Sequence, residues 1–121
     1  MFDHVKFGVS DYPASREFYL KALAPVGAQP LQEFDDGIEI GVEGNIATLC
    51  LFQTAEKPAH LHIAFVAQTR AQVDAFYRAA LAAGAQDNGP PGLRRYHANY
   101  YAAFVIGPDG HNIEMVCHQP E

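Results

Sequence analysis

The sequence predicts an α+β fold in which one βαβββ unit occurs twice, the two copies pairing into a curved, cup-like mixed sheet with helices outside. Three observations carry this prediction. The chain repeats itself: aligning His4 with His62 brings Val5 onto Ile63, Phe7 onto Phe65, Phe18-Tyr19 onto Phe76-Tyr77 and Ala22-Leu23-Ala24 onto Ala80-Leu81-Ala82. After a slip of one residue, Gly27-Ala28-Gln29 falls on Gly84-Ala85-Gln86. Each copy opens with a two-residue apolar period that gives way to a helical one, and three strand-length segments follow each helix. Two copies are too few for a solenoid, so residues 1–57 and 58–121 are expected to pack as a pseudo-twofold pair within one compact domain.

In the first copy, Val5, Phe7 and Val9 alternate with His4, Lys6 and Gly8, the pattern of a half-buried strand. Pro13 opens the helix, where its missing N–H costs nothing, and Pro25 stops it. Phe18, Leu23 and either Tyr19 or Leu20 supply the buried stripe. Strands are then expected around 31–34, 38–42 and 46–52, with Glu43-Gly44-Asn45 as a hairpin turn. In the second copy, Ile63 and Phe65 alternate with His62 and Ala64. Thr69-Arg70-Ala71-Gln72 reads as a capping box ahead of the helical face Val73, Phe76, Tyr77, Ala80 and Leu81, and Gly84 suits the position just past the helix. Asn88-Gly89-Pro90-Pro91-Gly92 is an irregular loop, strands are expected around 93–96, 100–106 and 112–118, and Pro108-Asp109-Gly110 makes the tight turn between the last two.

Composition narrows the function. The chain has 121 residues, and a net charge of −6 argues against a nucleic-acid partner, since phosphate backbones are held by clustered Lys and Arg. Only Arg94-Arg95 stand together, which suits a small anion better than a duplex. No segment approaches the ~18 apolar residues of a membrane span, and Met1-Phe2-Asp3-His4 lacks the basic and apolar regions of a signal peptide. Cys50 and Cys117 have no metal-knuckle or redox spacing and read as small buried hydrophobes in a reducing, cytoplasmic setting.

Strand parity gathers the polar residues. If Val5, Phe7 and Val9 pack beneath the helices, His4 points to the opposite face, and the repeat places His62 equivalently. In the last strand Ile113, Met115 and Cys117 are the apolar set, so Glu114 projects with the two histidines. Two imidazoles and a carboxylate on one face suit a divalent metal ion such as Fe, Mn, Ni, Co or Zn, and three protein ligands leave positions open for substrate.

These residues carry a resemblance. His4-Val5-Lys6-Phe7-Gly8-Val9 running into Ser15-Arg16-Glu17-Phe18-Tyr19, then His62-Ile63-Ala64-Phe65-Val66, then Pro108-Asp109-Gly110-His111-Asn112-Ile113-Glu114 resemble the vicinal oxygen chelate superfamily. This is the glyoxalase, bleomycin-resistance and extradiol-dioxygenase group. The resemblance covers nearly the whole chain and implies paired βαβββ modules, His4, His62 and Glu114 as metal ligands, and a homodimer. The site lies within one chain or is shared between two. Lactoylglutathione lyases of that superfamily carry a fourth ligand, usually Glu, on the last strand of the first half. Here the alignment puts Cys50 there, a thiol that cannot replace a proton-shuttling carboxylate, which disfavours the lyase reaction. Cys50 as a soft fourth ligand is the alternative.

Further candidates lie in Arg94-Arg95-Tyr96-His97-Ala98-Asn99-Tyr100-Tyr101. Arg94 and Arg95 are candidates for holding a carboxylate or phosphonate, and His97 and Tyr100 for moving a proton at a metal-bound oxygen. His60 shares the parity of His62 and is a candidate to support it from behind, although its place at the strand start favours exposure; His111 is expected to be solvated, and His118 shares the parity of Glu114. The reading is an enzyme acting on a small, oxygen-chelating metabolite, the metal serving as Lewis acid or oxygen-activating centre. The alternatives are a binding protein that sequesters a small molecule, as in drug resistance, and a metal-free relic whose pocket binds a metabolite.

Overall fold

In the computed structural model, residues 1–121 are all described, and the repeat is visible as two sheets of matching strand order. The first half contains β1 (His4–Val9), α1 (Tyr12–Leu23), a 3-10 turn (Ala24–Val26), β2 (Ala28–Glu33), β3 (Gly37–Val42) and β4 (Thr48–Gln53). The second contains β5 (His62–Val66), α2 (Arg70–Ala82), the short β6 (Gln86–Asp87) and β7 (Gly92–Leu93), β8 (Tyr101–Ile106), a 3-10 turn (Pro108–Gly110) and β9 (Asn112–Cys117). Strand order is β1-β4-β3-β2 in one sheet and β5-β9-β8-β6 in the other, with β7 also on β8. In each half the first strand runs parallel to the last, and the remaining pairs are antiparallel.

The helices form where local chemistry allows. Asp11 caps α1, its side chain accepting the Ala14 N–H, with Pro13 in the first turn. Thr69 and Gln72 make the complete capping box of α2, and Gly84 takes a left-handed φ of 101° just past its end. Pro25 ends α1 through a 3-10 turn. Phe18, Tyr19, Ala22 and Leu23 from α1 share one core with Val73, Phe76 and Ala80 from α2 and with Ile38, Leu51, Val105, Ile113 and Met115 from both sheets. Each helix lies on its own sheet and the two helices touch, so apolar burial joins the halves.

The expected α+β fold of paired modules is the one observed, built as two sheets in which β1 and β5 are both open edges. Three expectations are corrected. The expected hairpin turn 43–45 extends to a longer connection, because β4 begins only at Thr48 and Ile46 stays 81% exposed. The strand expected at 93–96 shrinks to Gly92–Leu93, and residues 94–100 are irregular, with Asn99 at φ 60°. Pro90 and Pro91 explain part of this, since neither can donate to a ladder. His111 is not solvated but 1% exposed: it packs edge-on to Phe7 with ring centroids 5.2 Å apart, and its Nδ1 accepts the Leu61 N–H at 3.0 Å.

Candidate metal centre

Parity and register build the centre on the second sheet. β5 and β9 run parallel, with His62 opposite Asn112 and Ala64 opposite Glu114. The apolar neighbours Ile113 and Met115 are buried against the helices, so Asn112 and Glu114 face away with His62. His62 Nε2 then lies 2.8 Å from Glu114 Oε2. The Tyr100 hydroxyl donates to the other carboxylate oxygen. Glu114 is 3% exposed, whereas half of the His62 side chain is open to solvent.

Behind His62 the polar chain continues. Asn112 Nδ2 lies 3.0 Å from His62 Nδ1, and Asn88 Nδ2 donates to Asn112 Oδ1 at 3.2 Å. With the Asn112 oxygen taken by Asn88, its amide hydrogens face the ring. Nδ1 is then the acceptor and Nε2–H donates to Glu114. Nothing in the repeat singled out Asn112 or Asn88; the only available signal was that Asn112 shares the parity of Glu114.

Aromatic side chains wall the pair. The Phe104 ring stands 6.2 Å from His62, and the Arg94 guanidinium lies 5.3 Å over Phe104 while donating to the Pro90 carbonyl at 2.7 Å. Arg94 therefore borders the centre, and Arg95 projects into solvent. Tyr100 is ringed by Tyr96 at 5.2 Å, His97 at 5.9 Å and His118 at 5.2 Å between centroids. Burial, then the hydrogen bond to Glu114, pushes the Tyr100 phenol up to about 12. His60 is exposed and lies by His111, with ring centroids 6.5 Å apart.

His4 stands apart. Its Nδ1 is 2.6 Å from Asp3, with half its side chain exposed, and within one chain no three His, Cys, Asp or Glu side chains converge as a metal group. Two of the three expected ligands are together and the third is on the other sheet. The His62–Glu114 pair nevertheless fits a divalent ion. Two donors bonded to one ion at ~2.1 Å each and at right angles stand about 3 Å apart, close to the spacing found here. Tyr100 on the carboxylate is an outer partner of the kind such ligands need, and Asn112 stands where the other one belongs: an ion on Nε2 would move the ring proton to Nδ1, and the Asn112 amide would have to turn its oxygen to that N–H.

Residues 1–115 match the Glyoxalase/Bleomycin resistance protein/Dioxygenase superfamily. The chain belongs to this superfamily. The superfamily member superposes on the crystal structure of a glyoxalase/bleomycin resistance protein from Albidiferax ferrireducens T118 with a TM-score of 0.84 at 28% identity, covering 99% of both chains. A glyoxalase/bleomycin resistance protein/dioxygenase family enzyme from Burkholderia phytofirmans PsJN gives 0.76 at 18% identity over 97% of this chain and 98% of that one. A lactoylglutathione lyase from Agrobacterium tumefaciens gives 0.70 at 17% identity over 97% and 92%. The last two likenesses are of fold alone. A search of the curated proteins finds no match.

Proposed function

We propose that this superfamily member is a divalent-metal-dependent cytoplasmic enzyme acting on a small, oxygen-chelating metabolite, with its centre completed in a homodimer. His62 and Glu114 come from one copy and His4 from a second, so the units 1–57 and 58–121 meet across the twofold. The His62–Glu114 pair carries this reading: a buried carboxylate and a half-open imidazole 2.8 Å apart, both oriented from behind.

The surface supports the dimer. A groove of about 1250 Å³ runs beside the open β5 edge, lined by Val5, Ile40, Ile46, Leu49, Phe65 and Val66 among others. Phe2, Ile46 and Val66 are 67%, 81% and 70% exposed, an apolar surface that a monomer would leave wet beside two unpaired strand edges. A second copy covers apolar surface, satisfies an edge and brings its own His4.

When bound, the ion supplies a Lewis acid that polarises adjacent oxygens of the substrate. The chain's residues do the rest. Asn112 fixes the His62 ring. Tyr100, kept protonated, donates at Glu114 Oε1 or to a substrate oxygen placed there. His97 beside it accepts or returns a proton through a ring nitrogen, Arg94 offers charge to an anionic substituent over Phe104, and Arg95 attracts that anion from solvent.

The direct test is metal uptake. Purified protein reconstituted with Fe, Mn, Co, Ni or Zn should bind an ion, and His62→Ala and Glu114→Ala should each abolish uptake while circular dichroism stays unchanged. Undiminished metal in either variant removes these residues as ligands. Ligand depletion without product on a panel of catechols, 2-oxoaldehyde thiol adducts and phosphonates would point to sequestration instead.

A further inference from the structure

The first sheet carries a carboxylate that the metal reading leaves unused. β3 pairs with β4 so that Glu39 stands opposite Cys50, as Phe104 stands opposite Glu114 in the second half. Ile38 and Ile40 are buried under the helix, so Glu39 projects from the other face, the one that bears His4 and Lys6. There its Oε2 takes the Thr48 hydroxyl at 3.1 Å and lies 3.9 Å from Cys50 Sγ. Thr48 is the register partner of His4. The Glu39 carboxylate has thus crossed one strand spacing and ends over β4, about 5 Å from the column of residues that holds His4.

No cation within the chain balances it. None of the ion pairs involves Glu39, and Lys6, the nearest cation by position on that face, lies over the Phe52 ring at 5.4 Å. Oε1 makes no hydrogen bond in the chain, while Oε2 is oriented by a hydroxyl, as a ligating carboxylate is by its outer partner. A half-buried carboxylate with one oxygen fixed and the other free is prepared for a cation from outside.

We propose that Glu39 is a fourth protein ligand of the metal, contributed by the same copy that contributes His4, with Thr48 as its positioning residue. This rests on the metal reading above. It also gives Cys50 a passive role: the thiol occupies the place equivalent to Glu114, and the carboxylate reaches in from the next strand.

Cobalt(II) titration of the full chain, read by visible absorption, tests this. Glu39→Gln should weaken Co(II) binding by at least about tenfold and change the d–d spectrum. Cys50→Ser should leave both unchanged, with no sulfur-to-cobalt charge-transfer band in either protein. Moving the carboxylate one strand over, in the Glu39→Gln/Cys50→Glu double variant, should restore binding. If Glu39→Gln binds cobalt like the parent while His62→Ala does not, Glu39 is no ligand. A charge-transfer band that vanishes in Cys50→Ser would hand the position to the thiol. If His62→Ala also binds normally, the underlying metal reading fails first, and this assignment with it.

Discussion

Asn112 holds the back of His62: its amide nitrogen lies 3.0 Å from Nδ1, on the strand next to β5 and in direct register. The ring's orientation toward Glu114 is therefore set by a side chain on the edge of the ring opposite the carboxylate. Asn112→Leu should keep the fold but weaken metal binding about 10- to 100-fold, the usual cost of losing an outer partner. Equal affinity, measured by competition against a chelator, would show that packing against Phe104 alone orients the ring.

A centre shared between copies makes a sharper prediction. His4→Ala and His62→Ala homodimers should both be metal-free, yet mixing and refolding the two variants should restore binding. Each heterodimer then holds one intact site. A centre confined to a single chain gives no recovery in the mixture.

Val66 lies on the open β5 edge with 70% of its surface exposed. Val66→Asp should change monomer stability by no more than about 0.5 kcal/mol, as exposed sites usually do. It should nevertheless shift the oligomer toward monomer in light scattering and lower metal content in parallel. A stable dimer with full metal would place the interface elsewhere.

His111 predicts a pH dependence of stability. Burial holds its imidazole below the usual histidine range, opposed by Asp109 and aided by His60. The unfolded chain therefore binds the proton more readily than the folded one. The stabilising contribution is complete above about pH 6.5 and is lost as pH falls from there toward the folded pKa. Urea unfolding at pH 7.5 and 5.5 should show a drop that His111→Asn reduces. The same drop in the variant would assign the effect to other groups.

The capping box offers an independent check on α2. Thr69 accepts the Gln72 N–H at 3.2 Å, and Gln72 Oε1 lies 3.3 Å from the Thr69 N–H. Thr69→Ala should cost about 1 kcal/mol in urea unfolding and leave metal binding unchanged. No loss would mean that packing of Val73 and Phe76 alone sets the helix start.

Much of this was legible in the sequence because it is local. The Thr69–Gln72 box, Gly84 and the alternation around His4, His62 and Glu114 depend on residues within a few positions of one another, and the repeat then fixed the order of elements. The strand expected at 93–96 and the turn expected at 43–45 differ from the structure because nothing nearby distinguishes a short pairing from an irregular segment. The burial of His111 was hidden for the same reason: its partners, Phe7 and the Leu61 N–H, lie far away in sequence.

By itself, the sequence determined which side of each strand a residue occupies, since a period of two follows from backbone geometry alone. Only the tertiary structure decided which faces meet. Register across β5 and β9 joined His62 to Asn112 and Glu114, and the pairing of β3 with β4 laid Glu39 over Thr48. Because the halves form separate sheets, His4 lies on a different sheet from that pair. Those outcomes depend on non-local pairing and on the area buried between halves, which no window of neighbouring residues contains.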